Sequence, residues 1–167
     1  MGQKCSQPVN EIIPHLYLGN VDIANEYDFL KEKKIALIID LSLENYKVSF
    51  PSIEHVRIPI RDKENSDILQ YFDNNTKLIY NYLHQERNVL VHCVMGVSRS
   101  CSIVAAYLIR YYNMSRDDAI DFIQKRRSCV KPNPGFMQQL KEFEIRENKR
   151  KALIIRKLNF WRQSSLK

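Results

Sequence analysis

Nine consecutive residues, His92-Cys93-Val94-Met95-Gly96-Val97-Ser98-Arg99-Ser100, gather a thiol, an imidazole, a guanidinium and two hydroxyls around one glycine. The apolar run Val89-Leu90-Val91 precedes them and a helix-forming run follows, so a strand turns into a helix within about seven residues. Gly96 allows the backbone angles that so tight a turn demands. Successive amide N–H groups of such a loop point inward as an anion nest, and the positive end of the following helix adds to it. Arg99 offers a planar fork that matches phosphate oxygens in pairs. A thiol on the floor of that cup is expected to ionise below the value of about 8.5 of a free cysteine. One arrangement therefore holds a phosphate dianion and activates Cys93 as a nucleophile. A structural cysteine in a strand-to-helix turn would account for Cys93, but it gives no reason for glycine and arginine at these offsets.

The elements that must position this loop follow from hydrophobic periodicity. Ile12 to Leu18 predicts a first strand, closed by Gly19-Asn20, and 22–33 a helix with Ile23, Tyr27 and Leu30 on one face. Ile35 to Leu41 is a continuous apolar run that predicts a strand buried on both faces, and Glu54 to Ile60 a further strand. Helices are expected over 67–86 and from Ser98 to Tyr112. Ser115-Arg116-Asp117-Asp118 has the form of a capping box opening a helix to Arg127. Asn133-Pro134 has the form of an N-cap with proline in the first turn of a last helix. Strands alternating with helices imply an α/β fold, a central mostly parallel sheet flanked by helices, with the phosphate loop between a buried strand and a helix. Ligands of such sheets lie beyond the carboxyl ends of the strands, which is where Cys93 falls.

Composition narrows the field. The 167 residues are 44% hydrophobic and 27% charged, enough apolar matter for one domain with a proper core and too much for a disordered chain. No run approaches the ~20 apolar residues of a membrane span, and none near the N-terminus has the form of a secretory signal. Of the net charge of +7, +6 lies in residues 141–167, so the domain proper is nearly neutral and no nucleic-acid partner is expected. The four cysteines, Cys5, Cys93, Cys101 and Cys129, have neither C-x-x-C nor zinc-finger spacing. A reducing compartment and no disulfides are expected, with Cys101 and Cys129 as core thiols.

His92-Cys93, five residues, then Arg99-Ser100 resembles the signature of cysteine-dependent protein tyrosine phosphatases. The Val-Met-Gly-Val-Ser filling resembles the dual-specificity protein phosphatases of small atypical type. The likeness extends to Ala105-Ala106-Tyr107-Leu108, to Val130-Lys131-Pro132-Asn133-Pro134-Gly135-Phe136, and upstream to Leu16-Tyr17-Leu18-Gly19-Asn20 and Ile58-Pro59-Ile60-Arg61-Asp62. It covers roughly residues 11–145. The resemblance implies hydrolysis of phosphotyrosine and phosphoserine or phosphothreonine through a phosphocysteine, without metal or cofactor. It implies phosphate binding by Val94, Met95, Gly96, Val97, Ser98 and Arg99, with Cys93 as nucleophile. Asp62 is implied as general acid, over Asp67, which is expected to cap a helix, and Asp73, expected to be solvated. Ser100 is implied to assist breakdown of the phosphocysteine, His92 and Ser98 to hold the loop through hydrogen bonds, and Asn133 to brace it. Two other readings stand beside this one: a catalytically weak relative that binds phosphoproteins, and a phosphatase acting on RNA 5′-phosphate or phosphoinositide.

Outside that region, 1–10 is expected to be a flexible arm and 146–167 a basic amphipathic tail. Met1-Gly2-Gln3-Lys4-Cys5-Ser6 fits the N-myristoylation pattern at Gly2, with Cys5 placed to take a second acyl chain. One myristoyl chain binds membranes only marginally, so a second acyl chain or the basic tail is needed as a second signal. The expectation is a cytoplasmic protein held at an anionic membrane surface.

Overall fold

In the computed structural model the described residues are 5, 7–43 and 50–164, with side chains described as far as Asn159. Five strands and six helices occur among them: β1 (Val9–Ile13), β2 (Leu16–Gly19), α1 (Val21–Asn25), α2 (Tyr27–Glu32), β3 (Ile35–Asp40), β4 (Glu54–Arg57), α3 (Leu69–Leu83), β5 (Asn88–His92), α4 (Arg99–Tyr111), α5 (Arg116–Gln124) and α6 (Pro134–Ser164). The sheet order is β1-β2-β5-β3-β4. β2, β5, β3 and β4 run parallel, and only β1 is antiparallel to its neighbour. This is the α/β architecture expected from the alternation of apolar runs and amphipathic stretches.

The pleat explains why the central strands are apolar throughout. Leu37, Ile39, Val89 and Val91 face a large core shared with α3, α4, α5 and α6, while Ile38 and Leu90 face a smaller core with Leu30 and Ile23 of the short helices. α4 is buried from Arg99 to Ile109 because it runs between the sheet and the other long helices. Phe72 of α3 and Phe143 of α6 meet edge to face at 5.2 Å, both fully buried.

Several boundaries depart from the sequence expectations. The strand expected over Ile12 to Leu18 is two, because Pro14 interrupts the ladder and His15 turns back with φ 71°. The helix expected over 22–33 is broken at Glu26, which has extended ψ of 98° and donates its N–H to Ile23 O. α3 begins later than expected. Asp67 Oδ1 accepts from Gln70 N at 3.3 Å, but Gln139 of α6 supplies the better cap, its Oε1 accepting from Ile68 N and Leu69 N at 2.8 and 2.9 Å. Asp73 is not merely solvated: it pairs with Arg110 of α4 and Arg146 of α6, and Arg110 also reaches Glu147 at 2.6 Å. A helix surface that faces solvent in isolation faces two further helices here.

The chain ends also depart. Residues from Val9 belong to β1. α6 runs unbroken across position 145, so no hinge separates the tail from the preceding domain. Leu153, Ile154, Ile155 and Leu158 are all exposed, and three consecutive residues at about 100° per residue cannot share one face. Phe160 and Trp161 lie beyond the described side chains, and Gly2 and Ser6 outside the described residues. No helix among the described residues is long and apolar enough to cross a membrane. Cys5 and Cys129 form a disulfide with Cα atoms 5.2 Å apart, which corrects both the expectation of no disulfides and that of Cys129 as a core thiol. While that bond stands, Cys5 has no thiol for an acyl chain.

Candidate active site

β5 ends at His92 and α4 begins at Arg99, so residues 93–98 form the turn between them. Cys93 is at its floor, 1% exposed. Its Sγ accepts hydrogen bonds from Gly96 N and from Ser100 Oγ, each at 3.2 Å. Gly96 has φ 66°, and a Cβ there would stand 2.5 Å from Gly19 O, so conformation and space both require glycine.

Arg99 is buried at the first turn of α4. Its Nη1 donates to Leu41 O and Ile60 O at 3.1 and 3.2 Å, beyond the ends of β3 and β4. These bonds fix the plane of the guanidinium and leave Nε without a hydrogen-bond partner among the described residues. That Nε lies 3.9 Å from Asp62 Oδ2.

Asp62 follows the segment that leaves β4. Its Oδ1 accepts from Ser98 Oγ at 2.7 Å and from Asn133 Nδ2 at 2.8 Å. Ser98 Oγ in turn accepts from Asn133 N at 3.0 Å. Asn133 Oδ1 caps α6 by accepting from Phe136 N at 2.9 Å. One asparagine thus ties the start of α6 to both the loop and the carboxylate. The approach is possible because residue 135 is glycine: a Cβ there would meet Glu64 O at 1.9 Å. The Asp62 side chain is 36% exposed, at the surface end of a site whose floor is the 1%-exposed Cys93. Val94, Met95 and Val97 complete the loop, with Met95 the most exposed. Val94 O and Val97 O accept from Val21 N and Lys131 N.

Two groups that the sequence reading did not assemble stand behind the loop, though it named His92 of the second. Arg127, 2% exposed, donates from Nε to Gly96 O at 2.9 Å and from Nη2 to Met95 O at 3.3 Å. Burial lowers its pKa from the ordinary arginine value. Within Lys125-Arg126-Arg127 the pattern gave no sign of which cation turns inward. The second is Asp40, His55 and His92, brought together by the pairing of β3 with β4 and β5. Asp40 Oδ1 is 3.6 Å from His92 Nε2, and Oδ2 is 3.8 Å from His55 Nε2. Burial pushes both imidazoles below their ordinary pKa, against the opposing pull of Asp40. One donor atom from each lies within 4.8 Å of the others, the donor chemistry of a divalent-cation site. Arg57 Nε, 3.5 Å from Asp40 Oδ2, places a protein cation against the same carboxylate. The one available signal was an aspartate closing the apolar run Ile35 to Ile39.

Comparison with known proteins matches residues 16–146 to the model of the dual specificity phosphatase catalytic domain. The chain is 34% identical over 137 residues to human dual specificity protein phosphatase 21, covering 82% of this chain and 72% of that protein. It is 38% identical over 138 residues to a Slingshot homolog protein phosphatase of Xenopus laevis, covering 81% of this chain but only 20% of that much longer protein. A solved mouse putative dual specificity phosphatase, complexed with zinc tungstate, superposes with a TM-score of 0.82 at 25% identity, covering 90% of this chain and 94% of that one.

Proposed function

The chain belongs to the dual specificity phosphatase family and is a protein phosphatase, so its substrates are phosphoproteins; on that premise we propose the route by which it removes phosphate. The Cys93 thiolate attacks phosphorus in line with the ester oxygen, and the S–P bond forms as the P–O bond breaks. The loop amides of 94–99 and the Arg99 fork hold the three equatorial oxygens, whose charge builds in the transition state. Asp62 delivers its proton to the departing tyrosine, serine or threonine oxygen. Asp62, now a carboxylate, takes a proton from the water that attacks the phosphocysteine. The Ser100 hydroxyl, 3.2 Å from Sγ, stabilises the departing thiolate. Ser98 holds the loop and Asn133 acts as a positioning residue for Asp62, whereas the His92 ring, expected to hold the loop, has no hydrogen-bond partner among the described residues and faces Asp40 at 3.6 Å.

The observation that carries this reading is the pairing of a doubly hydrogen-bonded Cys93 sulfur with a carboxylate held beside the same loop by Ser98 and Asn133. Cys93→Ser tests the reading: turnover of both an aryl phosphate and a phosphopeptide should vanish, and activity surviving the change would overturn it. We also propose that Gly2 is myristoylated and that the basic C-terminal segment adds membrane affinity, for a cytoplasmic enzyme held at a membrane face. Cell fractionation of wild type against Gly2→Ala tests this, and equal partitioning would refute it.

A further inference from the structure

Cys5 and Cys129 are 124 residues apart, yet their bond closes on the back of the phosphate loop. Cys5 Sγ lies 3.9 Å from Met95 O. Two residues from each cysteine the chain makes its contacts with Arg127 or through it: Arg127 Nη1 donates to Gln7 O and to Asn10 Oδ1, both at 2.9 Å, while its Nε and Nη2 hold Gly96 O and Met95 O. One buried guanidinium therefore has the N-terminal segment on one side and the loop on the other. A second path runs in parallel, because Asn20 N donates to Pro8 O at 2.9 Å and the next residue, Val21, donates to Val94 O at 3.2 Å. The segment carrying Cys129 also touches the loop directly, through Lys131 N to Val97 O at 2.9 Å and Asn133 N to Ser98 Oγ at 3.0 Å. A cavity of about 140 Å³ bordered by Cys5, Gln7, Lys125, Ser128 and Cys129 gives small oxidants and thiols a way to the bond.

We propose that Cys5 and Cys129 form a redox-operated clasp that fixes the N-terminal segment behind the phosphate loop, so that reducing the clasp weakens the hold of the loop on phosphate oxyanions. The proposal rests on residues 93–99 being the phosphate-binding loop. Closing takes a hydroperoxide. One thiolate attacks the peroxide oxygen, becoming a sulfenic acid as the other oxygen leaves and is protonated to water or an alcohol. The second thiol then displaces the sulfenic oxygen as water, forming the S–S bond. Two thiols are oxidised by two electrons and one peroxide is reduced. Opening takes a dithiol, which attacks one sulfur, releases the other as thiol, and ends as its own disulfide. With the clasp open, the segment before β1 keeps only hydrogen bonds behind the loop, and losing that of Gln7 O leaves Arg127 held on that side by Asn10 of β1 alone.

The test uses the full chain carrying Cys93→Ser, which removes the nucleophilic thiol from the redox response. Tungstate and inorganic phosphate binding are measured by calorimetry after mild peroxide and after a dithiol reductant, with the Cys5–Cys129 peptide followed by mass spectrometry under non-reducing conditions. Oxidised protein should contain that peptide and bind oxyanion about tenfold more tightly than reduced protein, within the 5–150-fold range of ordinary coupling. Adding Cys129→Ala should give the reduced affinity under both conditions. Equal affinity in the two states, or no Cys5–Cys129 peptide after oxidation, overturns the clasp. Binding of oxyanion in neither state instead overturns the reading of 93–99 as a phosphate loop.

Discussion

Asn133 makes two separable contacts, and separating them tests how Asp62 is held. Its Nδ2 donates to Asp62 Oδ1 at 2.8 Å, and its Oδ1 accepts from Phe136 N at 2.9 Å as the cap of α6. Asn133→Ala removes both, while Asn133→Ser keeps a cap oxygen but cannot span the distance to Asp62. A hydrogen bond to a charged group contributes about 1.5–3 kcal/mol. Ser98 still holds the same carboxylate oxygen at 2.7 Å, so the lower figure applies, and kcat on a phosphoserine or phosphothreonine peptide should fall about tenfold in both variants. Loss of the cap costs about 1 kcal/mol, which for a chain of this size lowers Tm by about 2–4 °C. Only the alanine variant should show that drop. Because proton donation matters in the first step only, both variants should release phenol from an aryl phosphate with an acidic phenol at nearly the wild-type rate in the first-turnover burst. Pre-steady-state kinetics with the two substrates, alongside calorimetric melting, reads all three quantities in both variants. Full kcat for Asn133→Ser on the poor leaving group, or an equal loss on both substrates, would refute the assignment of Asn133 as a positioning residue for Asp62.

Two further outcomes follow from packing and burial. Gly135→Ala should lower kcat at least as much as Asn133→Ala, because the added Cβ would overlap Glu64 O and push the Asp62 segment away; unchanged kinetics would show that the segment yields without moving the carboxylate. His55 and His92 are held neutral by burial, below their ordinary value near 6.5. The unfolded chain therefore binds more protons as pH falls, so their contribution to stability is complete above about 6.5 and shrinks below it. Tm should decline from pH 7 to pH 5, more shallowly in His55→Asn, and parallel profiles for the two proteins would contradict this.

What the sequence reveals is set by how far apart the cooperating residues are. Cys93, Gly96, Ser98 and Arg99 lie within seven residues, so a strand-to-helix turn suffices to gather them. The continuous apolar runs at Ile35 and Val89 marked the central strands because both faces are covered by helices. The two-strand hairpin was hidden because Ile12-Ile13 and Leu16-Tyr17-Leu18 make one apolar stretch around a two-residue turn. Arg127, Gln139 and Asp73 look like unpartnered residues along their own helices or loops, and only the packing of α4, α5 and α6 brings them their partners. Asp40 meets His55 and His92 through strand register, which periodicity does not encode. The Cys5–Cys129 bond closes a loop of 124 residues that no local pattern reports.

The central claim, that Cys93 carries the phosphoryl group between two displacement steps, is tested most directly by trapping that species. Asp62→Ala should still accept phosphate from an aryl ester with an acidic phenol, yet lacks the base that activates water for the second step. Acid quench within the first turnovers, followed by digestion and mass spectrometry, should find one phosphoryl group on the sulfur of Cys93 and none in Cys93→Ser. Phosphate on any other residue, or turnover by Cys93→Ser with no phosphoenzyme at all, would contradict the account.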